Sequence, residues 1–334
     1  AIEYFVEAVK IDPQAIELHF ALGGLFRRRG ETERAIRMHQ NLIERDDIPE
    51  DLKLAAVSEL GQDYLKAGLL DRAEETFERL RGTMLDEEAK RSLLEIYQLG
   101  KDWERAIAIA KELPDVASRK EIAEYYCELA AAEMIRSRRA EARTHLETAL
   151  EMNRHCVRAS LLLGDLNAQE GDQQAAIDSW QQIESQNPAY LALVAQRLLA
   201  AYRALDRRDD GLRLLRGYLE NYHSLDLLDV VFQLVLESDG AEVAYTLVRD
   251  ELRRNPTLLG FDKLLEARLF NAAPEIRPDI DLAKGIVQNY TRRLARYRCD
   301  NCGFKARQFY WRCPACGGWE TYPPKRTEEF DLTP

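Results

Sequence analysis

The chain lacks most features that would tie it to a membrane, a disordered state or an active site. No stretch reaches the ~18 to 20 uninterrupted apolar residues that span a bilayer, and the first residues do not form a basic segment followed by an apolar run. Gly and Pro are modest, at 17 and 11 in 334 residues, and fall between periodic segments instead of clustering, so no long flexible linker is expected. The five His are scattered and match no H-E-x-x-H spacing. G-x-x-x-x-G-K-[ST], G-x-S-x-G and the Rossmann glycine pattern are all missing, so nothing argues for an enzyme and no catalytic residue is assigned. An initiator Met is also missing: the chain opens inside an amphipathic pattern, AIEYFVEAVKIDP, without a helix cap, which reads as a piece of a longer protein.

What is present is ample for a folded core, with 46% apolar and 31% charged residues. The net charge of −11 argues against wrapping nucleic acid over the whole body. That charge is uneven. Residues 291–326 hold nine Lys/Arg against two acids, or +7, whereas residues 1–290 hold 38 basic residues against 53 acids, or −15. Two readings follow: the basic module docks on its own acidic body, or it meets an external anionic partner.

A period of 33 to 38 residues organises the body. Its clearest copies are LGGLFRRRGETERAIRMHQNLI (Leu22 to Ile43), LGQDYLKAGLLDRAEETFERL (Leu60 to Leu80) and LGDLNAQEGDQQAAIDSWQQI (Leu163 to Ile183). Each has a small residue (Gly23, Gly61, Gly164), a Gly seven positions later (Gly30, Gly68, Gly171) and an Ala five further on (Ala35, Ala73, Ala176). The first lets helix A approach its neighbour, the second supplies a left-handed helix end, and the Ala lets helix B pack on helix A. Phe77 and Trp180 are the large knobs four residues past the Ala, and Pro188 is expected to close its repeat just after helix B. Weaker copies keep the register around Ala106, Ala142, Gly211 and Ala244, so seven hairpins are expected with a partial one at each end. The pattern resembles the tetratricopeptide signature over roughly residues 1–270, and such stacks present a concave surface to many kinds of partner. Expected groove residues are Ala55, Ser58, Gln62 and Leu65 in one repeat and Arg158, Leu161, Asp165 and Ala168 in another. They form no Lys/Asn clamp for a peptide carboxylate.

The C-terminus carries a second kind of chemistry. In RCDNCGFKARQFYWRCPACGGWETYPP, two C-x-x-C pairs, Cys299 with Cys302 and Cys313 with Cys316, are ten residues apart, and each is followed by Gly (Gly303, Gly317). Two such knuckles bring four thiolates to one tetrahedral centre, with the Gly relieving a turn whose amides face sulfur. Two disulfides or a redox C-x-x-C are the other arrangements available, and the matched pairs disfavour both. A segment of roughly 25 residues buries too little to fold alone, and a structural zinc supplies on the order of 10 kcal/mol. One metal ion is therefore expected, zinc first and iron as the alternative; the inter-knuckle span is shorter than in rubredoxins. Phe304, Phe309, Tyr310, Trp311, Trp319 and Tyr322 exceed what the ribbon can bury, so several should pack on the helical stack. Cys127 and Cys156 read as packed core.

A stack opening on LGGLFRRRGETERAIRMHQNLI and ending in YRCDNCGFKARQFYWRCPACGGW resembles the lipopolysaccharide assembly protein B family over its whole length. The resemblance implies an adaptor held at the cytoplasmic face of the inner membrane by one N-terminal transmembrane helix, which this sequence does not contain. It implies help to the membrane metalloprotease FtsH in degrading LpxC, the deacetylase committing precursors to lipid A, under restraint by an inner-membrane lipopolysaccharide sensor. It also carries Cys299, Cys302, Cys313 and Cys316 over as the metal ligands.

The expected fold class is thus an all-α tetratricopeptide-repeat superhelix with a small rubredoxin-like or zinc-ribbon metal domain. The expected division is a solenoid at 1–278, a connecting helix at 279–297, the ribbon at 298–326 and a tail at 327–334. Two alternatives stay open on the residues alone: a nucleic-acid-binding ribbon on a repeat scaffold, suggested by the +7 balance and interleaved aromatics, and an iron-bearing electron carrier.

Overall fold

The computed structural model describes residues 14–113, 119–222, 224–291 and 297–324, together with Tyr4, Glu7, Ile11 and Asp12. The chain divides into two units, Ala1–Leu129 and Ala130–Pro334.

The first unit holds α1 (Ile16–Arg29), α2 (Thr32–Glu44), α3 (Glu50–Lys66), α4 (Leu70–Glu78), α5 (Asp86–Gly100) and α6 (Trp103–Glu112); the division falls within α7 (Arg119–Ile135). The second holds α8 (Arg139–Met152), α9 (Val157–Gln169), α10 (Gln173–Gln186), a 3-10 turn at Pro188–Leu193, α11 (Ala195–Ala204), α12 (Arg208–Tyr222), α13 (Leu225–Ser238), α14 (Ala241–Arg254), α15 (Leu258–Phe270), α16 (Arg277–Thr291) and a two-stranded ribbon. Within each unit consecutive helices pack as antiparallel hairpins, each laid on the next. Pro188 follows the end of helix B at Gln186, as expected, and also opens the 3-10 turn, because a proline at the first position gives up no intrahelical bond.

The glycine pattern has the geometry its spacing implies. Gly30, Gly68 and Gly171 take φ of +79°, +74° and +90°, ending helix A in the left-handed region. In three weaker copies the same place is held by Lys101, Ser137 and Asp206, at φ +56°, +61° and +56°. The turn thus dictates the backbone even where no glycine is present. Helix B then starts with a side-chain cap in two hairpins: Asp102 accepts from the Arg105 amide (3.2 Å) and Asp172 from the Ala175 amide (2.9 Å). Leu69, at the matching place before α4, offers no cap.

The knob position shows more variety. A Cβ on Gly61 would meet the Phe77 ring at 2.6 Å, and one on Gly164 would meet the Trp180 indole at 2.2 Å, so only glycine lets these rings lie on helix A. On Gly23 the same place is taken by His39. His39 is fully buried, with Nδ1 2.5 Å from Oδ2 of the equally buried Asp63 of α3. The other Asp63 oxygen accepts from Arg27 of α1 at 2.9 Å, and Arg27 also pairs with Glu59 at 2.7 Å. Three helices of two hairpins therefore meet through one buried carboxylate, which this pairing spares the cost of an isolated buried charge.

Apolar packing runs continuously through the second unit, from Val157 and Trp180 through Leu198, Tyr218 and Phe232 to Ala267. Cys127 and Cys156 are fully buried. Among the described residues, no helix is long and apolar enough to cross a membrane.

Candidate metal centre

The ribbon is a hairpin of turns more than a sheet. Strand β1 (Tyr297–Arg298) pairs antiparallel with β2 (Lys305–Ala306), and a single bridge joins Arg312 to Trp319. Each pairing closes a C-x-x-C-G turn. In the first knuckle the Cys299 amide donates to the Phe304 carbonyl and the Gly303 amide to the Cys299 carbonyl, both at 2.9 Å. In the second, Cys313 donates to Gly318 and Gly317 to Cys313, again at 2.9 Å. Gly303 and Gly317 sit at φ +74° and +71°, where a side chain is strained. The knuckles are thus two copies of one turn, tied together by the Asp300 amide donating to the Thr321 carbonyl at 2.8 Å.

All four sulfurs come together. Cys299 and Cys313 are buried, Cys302 and Cys316 are exposed, and every pair of Sγ atoms lies within 4.8 Å. The Cys299–Cys316 and Cys302–Cys313 separations are both 3.7 Å. That is far beyond the ~2.05 Å of a disulfide. A tetrahedron with ~2.3 Å metal–sulfur bonds has edges of about 3.8 Å, so the donor set fits a tetrathiolate ion in size as well as in chemistry.

Electrostatics shows what an ion would supply to this donor set. Burial opposes ionisation of Cys299, but the Thr321 hydroxyl, with its oxygen 3.4 Å from Sγ, and the amides of Cys302 and Asn301 outweigh it and bring the thiol down to about 6. The Phe304 amide favours the Cys302 thiolate, yet burial and the neighbouring sulfurs win and push it up to about 12. Cys316 is likewise raised, its own favourable contact with the Gly318 amide outweighed by burial and the nearby sulfurs. The turn amides therefore favour a first thiolate, and a cation at the centre would favour the rest.

Around the sulfurs the ribbon packs Tyr322, fully buried, with its hydroxyl donating to the Tyr297 carbonyl at 3.1 Å. Burial and the nearby Cys313 push that hydroxyl up to about 12. Tyr310 packs on this small core, and Phe304 stays partly exposed. Phe309 packs on both this core and the helical one, and Trp311 joins the helical core. Trp311 stacks on Tyr190 of the 3-10 turn, at 5.6 Å between centroids and 3° between planes, with Phe309 edge-on to Trp311 at 4.9 Å. The Arg158 guanidinium of α9 lies 5.8 Å from Trp311 and 5.9 Å from Trp319. Glu320 then accepts from the Val157 amide at 3.0 Å, placing a carboxylate on the N-terminus of α9.

This contact bears on the uneven charge of the chain. Of the two readings left open by the charge, docking on the chain's own stack is the one seen, and its contacts are aromatic rings by Arg158 and the bond from the Val157 amide to Glu320. It also covers Arg158, one of the expected groove residues. Other groove positions are engaged sideways: Ser58 donates to Glu88 at 3.1 Å, Gln62 to Ser92 at 3.0 Å, and Asp165 accepts from Arg197 at 2.8 Å. Sequence reasoning found the four cysteines and the aromatic surplus but not Tyr190, Arg158 or Glu320, since contacts 100 or more residues apart leave no local pattern.

The family comparisons bear on the same two regions. A model described as a rubredoxin metal binding domain matches residues 297–324, and a tetratricopeptide-repeat model matches residues 127–190. Among solved structures the chain is similar to YrrB, a tetratricopeptide protein described as having an unusual peptide-binding site (18% identity, 59% of this chain and 100% of that one, TM-score 0.37). It is also similar to MamA (20% identity, 60% and 93%, TM-score 0.28). Lipopolysaccharide assembly protein B of Escherichia coli K12 is 34% identical over 98% of this chain and 85% of its own length. The Haemophilus influenzae protein of that name is 32% identical over 94% and 81%. With its repeat stack and four-cysteine ribbon both in place, the chain belongs to the lipopolysaccharide assembly protein B family.

Proposed function

We propose that this chain is a non-enzymatic adaptor in lipopolysaccharide biosynthesis, acting at the cytoplasmic face of the inner membrane. In this reading the repeats hold the deacetylase LpxC for proteolysis by FtsH, and an inner-membrane lipopolysaccharide sensor restrains them. Cys299, Cys302, Cys313 and Cys316 hold one ion, zinc in preference to iron, which keeps the ribbon folded and so keeps α9 and the 3-10 turn in a binding-competent arrangement. The chemistry the ion supplies is structural: it neutralises thiolates that would otherwise repel. The division into solenoid, connecting helix, ribbon and tail belongs to the same reading.

The observation that carries it is the seating of the ribbon on a repeat scaffold, through Trp311 on Tyr190 and Arg158 between two tryptophans. A tetrathiolate with no open position, tied to a stack built for protein contacts, suits a scaffold better than a catalyst. Nucleic-acid binding is not favoured, because Phe309, Trp311 and Trp319 are engaged in packing and do not form an open stacking platform.

The test is affinity capture from cells with the full-length, membrane-anchored protein. The deacetylase and the protease are expected in the wild-type eluate, with the deacetylase reduced after Cys299→Ser/Cys302→Ser. Recovery of neither from the wild type sinks the proposal. Metal analysis of the purified chain, with one zinc per chain and no visible absorbance expected, tests the ion separately.

A further inference from the structure

The ribbon contains one hexamer twice, R-C-x-x-C-G, at residues 298–303 and 312–317. Each arginine folds back over its own knuckle. A Cβ on Gly303 would lie 3.8 Å from Nε and Nη2 of Arg298, and one on Gly317 would lie 3.6 Å from Nη2 of Arg312. Arg312 Nε also donates to the Gly317 carbonyl at 3.2 Å. The residue before each first cysteine thus lies across the turn that presents the second.

Four thiolates around a divalent ion carry a net charge of about −2, which turn amides offset only in part. Two guanidinium groups beside the knuckles, that of Arg312 held by its bond to the Gly317 carbonyl, are well placed to offset the remainder, and arginine stays charged there whatever the local pH. Arg312 has a further contact: its guanidinium lies 5.6 Å from the Trp319 ring, and Arg158 of α9 lies 5.9 Å from that ring. Cation and ring alternate from the second knuckle through Trp319, Arg158 and Trp311 to Tyr190.

Building on the metal reading above, we infer that Arg298 and Arg312 are positioning residues for the ion, each closing its knuckle and offsetting the tetrathiolate charge, and that Arg312 also links the ion to the seat on α9. The arginines touch no substrate; they act through the cysteines.

The test uses the full chain, zinc-loaded, with Arg298→Gln, Arg312→Gln and the matching Arg→Lys variants. Transfer of zinc to 4-(2-pyridylazo)resorcinol is expected to be about ten-fold faster in both glutamine variants, with the lysine variants nearer wild type. With iron in place of zinc, the reduction potential falls in the glutamine variants and recovers with lysine, since losing a positive charge disfavours the more negative reduced state. A role confined to holding the turn would leave the potential unmoved. Transfer rates within about two-fold of wild type, or an unmoved potential, overturn the charge role. For the link, hydrogen exchange at the Val157 amide is expected to rise in zinc-loaded Arg312→Gln, and unchanged protection there overturns it. A glutamine variant that retains no ion is the extreme of the expected result, and the lysine variants then carry the comparison. A wild-type chain without stoichiometric metal fails the metal reading itself, which is a different outcome from any of these.

Discussion

The first and fifth hairpins share one frame and fill it with opposite chemistry. In α9/α10 the knob on the glycine is Trp180, whose Nε1 donates to the Leu161 carbonyl at 3.1 Å within an apolar core. In α1/α2 it is His39, paired with Asp63 and through it with Arg27. The frame therefore requires a flat ring of moderate size on the glycine, not a hydrophobic one. What surrounds the ring decides the rest: Trp180 extends a greasy core that goes on to receive the ribbon, whereas His39 ties its hairpin to the next through the buried Asp63 carboxylate. Apolar knobs tolerate imperfect neighbours, while a buried polar knob ties one hairpin to a specific partner carboxylate.

The largest test of this contrast is removal of the ion. Stripping it should cost the ribbon on the order of 10 kcal/mol of folding free energy and release Trp311 from Tyr190. A red-shifted tryptophan emission after chelation reads this out, with hydrogen exchange across α1 and α2 unchanged. Next, Asp63→Ala leaves the fully buried His39 without its carboxylate partner and Arg27 with Glu59 alone, and should destabilise the first unit by about 3–5 kcal/mol in urea unfolding. Trp180→Ala should cost the second unit about 3–5 kcal/mol through a cavity. The double replacement His39→Phe/Asp63→Leu, which gives the first hairpin the chemistry of the fifth, should cost far less than Asp63→Ala. A double variant as weak as the single one would show that the frame itself, not the charge, distinguishes the hairpins. Gly23→Ala and Gly164→Ala push a Cβ into His39 and Trp180 and should each cost about 1–3 kcal/mol, with the rigid indole at the upper end. The smallest effects belong to the shared turn: Lys101→Gly and Asp206→Gly relieve a left-handed side chain and should each stabilise by about 1 kcal/mol in thermal melts.

These hairpins also mark how far the residues themselves could be read. Gly30, Gly68 and Gly171 announce a left-handed helix end because glycine tolerates it, and the register they set extended correctly to Lys101, Ser137 and Asp206, which carry no such signal. The small-residue and Ala positions were legible for the same reason, being local to one hairpin. His39 was visible only as a residue at the knob position; that it meets a buried carboxylate depends on Asp63, one hairpin away. In the ribbon, C-x-x-C spacing exposed the sulfurs, and aromatic excess exposed the need for a seat. Which surface provides that seat was hidden, since Arg158 and Tyr190 look like ordinary stack residues until α9 and the ribbon are brought together.

The bond from the Val157 amide to Glu320 joins positions 163 residues apart, whereas the hairpins of the second unit pack mainly on their neighbours along the chain. Open arrays of this kind peel from their ends, one hairpin at a time. A clasp between the last segment and α9 turns everything between them into a closed loop that cannot fray piecemeal. Opening the clasp gives the second unit a free end, so partial unfolding there should start only after the ribbon lets go.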